Sequence, residues 1–333
     1  MSTRFVCFGE LLLRLGAPGR ERLLQSPRLD VHVGGAEANV AVALAHFGNT
    51  VALISVLPDN ALGSAALGEM RRHGVDTTRV RRGAGRMGLY FLETGAMHRP
   101  SDVLYDRADS AFARAAAQDY DWPALLAGAN VLHLSGVTPA VSENAARAVL
   151  QAAQAARRLG IRVVFDGNFR GKLWQARGAE PAGVLRELFA CADLLLADHR
   201  DIGLVLDRDF AGDQAAAAAA AFDAFPSLVH IAATLRTQHS VDHHELGAVL
   251  FTRQRRIDAG GCPITPIVDR IGAGDAFAAG LLHGLFGGMA EQESLQFALA
   301  AACLKHSLPG DALRMSATEV GALSAERRYD VRR

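Results

Sequence analysis

The amino-acid sequence predicts an α/β fold in which a central, mostly parallel sheet is flanked by helices on both faces, with a small β-sheet beside it. Three observations carry that expectation. Short apolar runs without polar alternation recur along the chain, as strands buried on both faces require. Helical patterns lie between them, the arrangement of a covered parallel sheet. Two segments, about 11–33 and 87–108, break the rhythm with hairpin-like alternation and turn glycines, and are expected to pair as a lid.

The run FVCFG (5–9) reads as the first strand, and the excursion 11–33 follows it. Gly34 and Gly35 then turn the chain into a helix whose inner face carries Val40, Ala43, Leu44 and Phe47. VALISVL (51–57) is the next strand of the main sheet, before the second excursion. VLHLSG (131–136), IRVVFDGN (161–168), DLLLAD (193–198) and SLVHIAAT (227–234) supply further strands. Between the first two of these, ENAARAVLQAAQAARRLG (143–160) is a long helix closed by Gly160, as helices commonly end. Alanines 215–221 read as helix because Ala is the strongest helix former. A helix is expected to start near Ala276, and the stretch 287–306 continues as helix. With 333 residues, 50% of them hydrophobic, the chain can bury a large core. No linker or internal repeat divides it, so residues 1–333 are expected to form a single domain.

Composition narrows the function classes. Thirty-five Lys and Arg balance 35 Asp and Glu, so no global field favours nucleic acid or an anionic membrane, and neither is expected as a partner. Cys7, Cys191, Cys262 and Cys303 lie far apart in apolar surroundings without a CxxC, and read as buried thiols of a reducing compartment. The opening MSTRFVCFGELLLRL reads as a strand rather than a signal peptide, and no run approaches the roughly 18 apolar residues of a membrane span. A cytoplasmic location is expected.

The chemistry concentrates in VDRIGAGDAF (268–277). A dinucleotide fingerprint would need a third glycine or alanine where Phe277 stands, followed by a strand. A GxxxxGK[ST] phosphate loop is absent as well. Asp275 then reads as a cap of the following helix, or as a carboxylate beside glycines that open the helix N-terminus to an anion. The two readings are compatible. A second stretch, VGGAEANVAVALAHFG (33–48), sets Gly34 and Gly35 ahead of a helix whose first turn carries Glu37 and Asn39.

Together with CFGE at the N-terminus and LKHSLPGD (304–311), the pair resembles the two signatures of the ribokinase-like (PfkB) carbohydrate kinases. The resemblance covers nearly the whole chain and implies the ribokinase-like fold, with ATP and Mg2+ as cofactors and a monovalent cation left open. It implies Asp275 as catalytic base, with Gly272, Ala273 and Gly274 holding the transferring phosphoryl group. Within the family, MGLYF (87–91), LYDRADSAF (104–112) and FDGNFRGKLW (165–174) look most like the 2-keto-3-deoxygluconate kinases. That likeness implies phosphorylation of 2-keto-3-deoxygluconate to its 6-phosphate in sugar-acid catabolism. It places Gly34, Gly35, Asn39, Tyr90, Tyr105, Arg107, Asn168 and Arg170 around the sugar acid. The chemistry agrees, since a carboxylate calls for the planar fork of an arginine. The bland alternatives for Arg107 and Arg170 are solvent exposure or ion pairs with Asp106 or Asp166.

Some positions depart from the pattern. Ala197 and Arg200 stand where the family carries Asn-x-x-Glu after the DLLLAD strand, which leaves Asp198 or Asp201 unassigned as substitutes and the metal-organising residues unknown. The usual Lys-x-Gly near a nucleotide phosphate is missing, and Arg236 in AATLRTQHS (232–240) is expected to supply a cation there. Lys305 is expected near the nucleotide by analogy. His239, His243 and His244 read as a polar surface turn rather than a metal site. The C-terminal ERRYDVRR reads as a solvated tail, and the apolar alternation of Leu11, Leu13, Leu15, Val31 and Val33 is compatible with a homo-oligomer paired through the lid.

Overall fold

The computed structural model describes residues 3–325, so the C-terminal tail and any account of it lie outside the described residues. Thirteen strands form in the order β1 (Arg4–Phe8), β2 (Leu12–Gly16), β3 (Asp30–Gly34), β4 (Thr50–Pro58), β5 (Val80–Gly83), β6 (Leu89–Glu93), β7 (Asp102–Asp106) and β8 (Val131–Ser135). They continue as β9 (Arg162–Asp166), β10 (Leu194–Leu196), β11 (His230–Gln238), β12 (His244–Phe251) and β13 (Arg256–Ile264). Nine of them build one sheet in the order β13-β12-β11-β10-β9-β8-β1-β4-β5. It is parallel from β11 to β5, with an antiparallel meander at the β12–β13 edge.

Period-two alternation explains why both faces are covered. On β1, Phe5 and Cys7 enter one core while Val6 and Phe8 enter the other. Helices Ala36–His46, Ala273–Gly287 and Glu291–Lys305 seal the first face, and Glu143–Arg158, Pro181–Cys191 and Gln214–Ala224 the second. The helix Glu143–Arg158 shows how local sequence suffices. Its Ser142 Oγ accepts the Ala145 N–H at 3.0 Å, seven alanines line its buried face, and Gly160 follows at φ 70°.

The segments 11–33 and 87–108 do pair. They form a four-stranded sheet, β3-β2-β6-β7, in which β2 and β6 run parallel and set Leu13 beside Leu89 and Arg14 beside Tyr90. The main sheet's chain order reverses around β1, whose neighbours are β4 and β8. Ligands of open α/β sheets bind outside the carboxyl ends of strands at such a point. Glu10, Ser135, Asp166 and Asp198 all follow or close strands at that end.

Several expectations need correction. The helix expected near Ala276 begins at Ala273 with Gly272 as its N-cap, so Asp275 lies inside the first turn and does not cap it. The strand expected to end at Thr234 runs on to Gln238, which puts Arg236 on β11. His244 opens β12 and is fully buried, because adjacent residues of a strand face opposite ways and only His243 meets solvent. Cys7 and Cys303 are buried, whereas Cys191 and Cys262 are only half-buried. Among the described residues no helix is long and apolar enough to cross a membrane.

Candidate active site

The two glycine motifs meet at the switch point. Gly35 has φ 146°, and a Cβ there would overlap the Glu10 carbonyl oxygen, so the chain can turn into the helix Ala36–His46 only with glycine. Gly272 has φ 80°, and a Cβ there would overlap the Asp311 carbonyl oxygen. Each turn aims a helix N-terminus into the same space. Asn39 and Asp275, 236 residues apart, are joined there by a hydrogen bond from Asn39 Nδ2 to Asp275 Oδ2 at 2.7 Å.

Burial pushes the Asp275 carboxyl up to about 7, against the Asn39 hydrogen bond and the Arg170 charge that favour ionisation, while Asp311 and Glu37 push the same way as burial. A carboxylate poised near neutrality is suited to taking a proton from a hydroxyl. Around it, the backbone N–H groups of Gly272, Gly274 and Asp275 have no protein acceptor among the described residues. The Ala273 N–H is directed at the Arg270 carbonyl at 3.3 Å, which corrects the expectation that all three of Gly272, Ala273 and Gly274 present open donors. A Cβ at Gly274 would meet nothing within 4 Å, so open space faces this turn.

More acids gather than the sequence suggested. Glu37 is buried and accepts hydroxyl hydrogens from Ser135 and Thr138, each at 2.7 Å, yet burial still holds its pKa above the ordinary value. Asp166, at the end of β9, is held well above the carboxylate range by burial and by the Asp275 and Asp201 charges. Burial and Asp198 raise Asp201 to about 6. Asp198 caps the helix His199–Leu206, with Asp201 returning the bond in a capping box. That geometry turns Asp201 inward against Gly167 while Arg200 points to solvent, paired with Asp198. Of the two acids left unassigned from sequence, Asp201 is therefore the one turned inward.

Arg170 is exposed, has no hydrogen-bond or ion-pair partner among the described residues, and places its charge in the field of Asp166, Asp201 and Asp275. It lies just after Asn168, which holds φ 32°. Arg107 is different. It is buried, and its Nε donates to Glu10 Oε2 at 2.6 Å, while Ser110 Oγ donates to Glu10 Oε1 at 2.5 Å. Asp106 pairs with Arg86 instead, so the ion pairs considered for Arg107 from sequence are not the ones formed.

From the small sheet, the Tyr90 hydroxyl donates to Asp311 Oδ2 at 2.5 Å, and Tyr105 stands opposite Tyr90 in the strand pair with ring centroids 6.5 Å apart. Asp311 also meets Arg14 Nη1 at 3.1 Å, and its carboxylate presses on Gly34. Arg14 Nη2 donates to Asp269 Oδ2 at 2.7 Å. Of these, Glu10, Arg14, Asp269 and Asp311 are not singled out by the sequence, and Asp201 is named there only as an unassigned substitute. Two of them had a signal, since Glu10 closes CFGE and Asp311 closes LKHSLPGD.

Toward the other side, Arg236 is exposed on β11 and Arg270 is half-buried just before the glycine turn. Lys305, expected near a nucleotide, is fully buried, and its Nζ donates to the Leu308 carbonyl at 2.9 Å and the Asp269 carbonyl at 3.4 Å. Burial lowers its pKa to about 8. Its ammonium fastens the chain after the helix. Among the described residues no three His, Cys, Asp or Glu side chains are grouped as a metal cage, and His239, His243 and His244 form none.

Comparison with known proteins places this arrangement. Residues 2–317 match the model of the pfkB family carbohydrate kinases. The chain is 34% identical to a 2-dehydro-3-deoxygalactonokinase of Haloferax volcanii, with 96% of each chain covered. Its fold is similar to the crystal structure of 2-dehydro-3-deoxygluconokinase from Thermotoga maritima, at a TM-score of 0.91 and 37% identity over 98% of this chain and 99% of that one. A pfkB family carbohydrate kinase from Listeria grayi is similar at a TM-score of 0.92 and 36% identity, covering 97% of this chain and all of the other.

Proposed function

This chain belongs to the pfkB family of carbohydrate kinases, and on that premise we propose that it transfers the γ-phosphoryl group of ATP to a hydroxyl of 2-keto-3-deoxygluconate. The observation that carries the choice of substrate is the pair of guanidiniums at this site, Arg170 acting on Asp275 and Arg107 on Glu37. Arg170 is unpaired, and Arg107, held by Glu10 through Nε, keeps its two terminal nitrogens for a ligand. A neutral sugar has no use for two such forks, whereas the carboxylate of an aldonic acid does. Names of similar proteins support the same class, and that of the Haloferax relative makes the galactonate epimer a natural second substrate.

In this reading the sugar acid lies between the glycines Gly34 and Gly35, Asn39, Asn168 and the small sheet, with Tyr90, Tyr105, Arg107 and Arg170 around it. Asp275 takes the proton from the attacking hydroxyl as the bond to phosphorus forms. The open N–H groups of Gly272, Gly274 and Asp275 receive the charge that develops on the transferring phosphoryl oxygens. The site fits a nucleotide's phosphates because this helix end presents donors without acceptors and open space at Gly274. Magnesium, when bound, neutralises phosphate charge; the nucleotide's oxygens would hold it, with Asp201 and Asp166 as the nearby protein acids. Closure by the small sheet would keep water from competing as acceptor.

The test is ADP release with MgATP, comparing 2-keto-3-deoxygluconate, 2-keto-3-deoxygalactonate, fructose, ribose and gluconate. Turnover confined to the keto-deoxy acids is the expected result. Turnover only with fructose or ribose would keep the kinase and reject the sugar acid.

A further inference from the structure

We propose that Arg270, just ahead of the glycine turn at Gly272, is the guanidinium that grips the terminal phosphates of the nucleotide. The inference rests on the reading of the site as an ATP site and adds to it the residue that the missing Lys-x-Gly segment leaves wanting.

Arg270 is half-buried and forms no ion pair or hydrogen bond through its side chain among the described residues. The carboxylate beside it in sequence is already engaged. Asp269 Oδ2 accepts from Arg14 at 2.7 Å and from the Gly310 N–H at 3.0 Å, and Oδ1 accepts the Ile271 N–H at 2.9 Å. Burial, then the charges of Arg236 and Arg170, hold the Arg270 guanidinium below its ordinary pKa, with only Asp269 opposing them. With Asp269 committed to Arg14, Gly310 and Ile271, the Arg270 guanidinium has no hydrogen-bonded anion of its own among the described residues.

Arg170, whose charge also acts on Asp275, and Arg236 both act on Arg270. A second observation points the same way. The helix end that follows Arg270 leaves the N–H groups of Gly272, Gly274 and Asp275 without a protein acceptor among the described residues, with open space at Gly274. Phosphates seated there would supply acceptors to these N–H groups and to the Arg270 guanidinium.

The arm that carries Arg270 is rigid. The Val268 and Asp269 N–H groups donate to the His306 carbonyl at 2.9 and 3.2 Å, and the Arg270 carbonyl takes the Ala273 N–H at the helix entrance. A charge fixed before the ligand arrives loses little entropy on binding.

Calorimetric titration of wild type, Arg270→Gln and Arg270→Lys with ATP, ADP and AMP tests this without any sugar. The Gln variant should weaken ATP about 10- to 100-fold, the range of one hydrogen-bonded charge. ADP should weaken less and AMP within twofold, and the Lys variant should recover part of the ATP loss. Equal losses for all three nucleotides, or ATP binding unchanged in both variants, would overturn the assignment. Failure of the sugar-acid reading would leave this pattern intact, whereas wild type that binds no ATP would overturn both.

Discussion

Replacing Asp275 by Asn should make the protein a poorer enzyme and a more stable one, and the structure sets both sizes. Removing the proton acceptor is expected to lower kcat by roughly 10²- to 10⁴-fold, or about 3–5 kcal/mol of transition-state stabilisation. The acidic limb of the wild-type pH–rate profile should fall at about 7, where burial places the carboxyl, and should vanish in the variant. Stability follows from the same burial. A carboxyl raised from 3.8 to about 7 is disfavoured in its ionised form by at most about 4 kcal/mol. Below 3.8 both folded and unfolded chains hold the proton, and the group contributes nothing. Between 3.8 and about 7 only the unfolded chain ionises, so the wild type loses stability as pH rises, and above that window the cost is complete. Asn avoids it while its side-chain oxygen still accepts from Asn39. Thermal melts of the pair at pH 5 and pH 8 should therefore diverge, with the variant melting higher at pH 8 by more than at pH 5. A variant that keeps activity within tenfold and the same acidic limb would refute the general base. One that melts below wild type at pH 8 would refute the electrostatic account.

The two arginines separate by stability. Arg170→Ala should raise KM for the keto-deoxy acid about 10- to 100-fold and move the acidic limb upward, because the Arg170 charge favours ionised Asp275. Yet it breaks no hydrogen bond or ion pair of its side chain among the described residues, and should change the melting temperature far less than loss of a buried pair. Arg107→Ala should raise KM likewise and also cost about 3–5 kcal/mol, since Glu10 is left buried and unpaired; equal melting of the two variants would contradict this. Gly272→Ala should destabilise by about 2 kcal/mol or more, through the positive φ and the overlap with Asp311, whereas Gly274→Ala should melt as wild type yet turn over ATP poorly. A thermal melt and an ADP-release assay on the two read this contrast, and matching melts would dismiss it. Lys305, lowered to about 8, gives a rise in stability as pH climbs from 8 toward 10.5, because only the unfolded chain still binds the proton there. Denaturant titrations of Lys305→Met at pH 8 and 10 should lack that rise, and an undiminished slope would count against it.

Much of this was written locally in the chain. Unalternated apolar runs, capped helices such as Glu143–Arg158 and the positions of glycine determined a parallel sheet covered on both sides, because periodicity and backbone freedom are properties of neighbours in sequence. The two signatures and their order determined the kinase family, and the hairpin-like excursions determined the small sheet. The Asp275 and Asn39 partners could be named, though not their 2.7 Å bond. What tertiary structure alone decided is which charges meet. Helix phase sent Asp201 inward and Arg200 outward, a choice that spacing left open between Asp198 and Asp201. Full burial set the Lys305 ammonium against two backbone carbonyls. Glu10 found Arg107 across 97 residues, and Arg14 found Asp269 across 255. A sequence lists its charges in order along one line. Their pairing, burial and pKa depend on distances through space, which only the packed sheet and helices set.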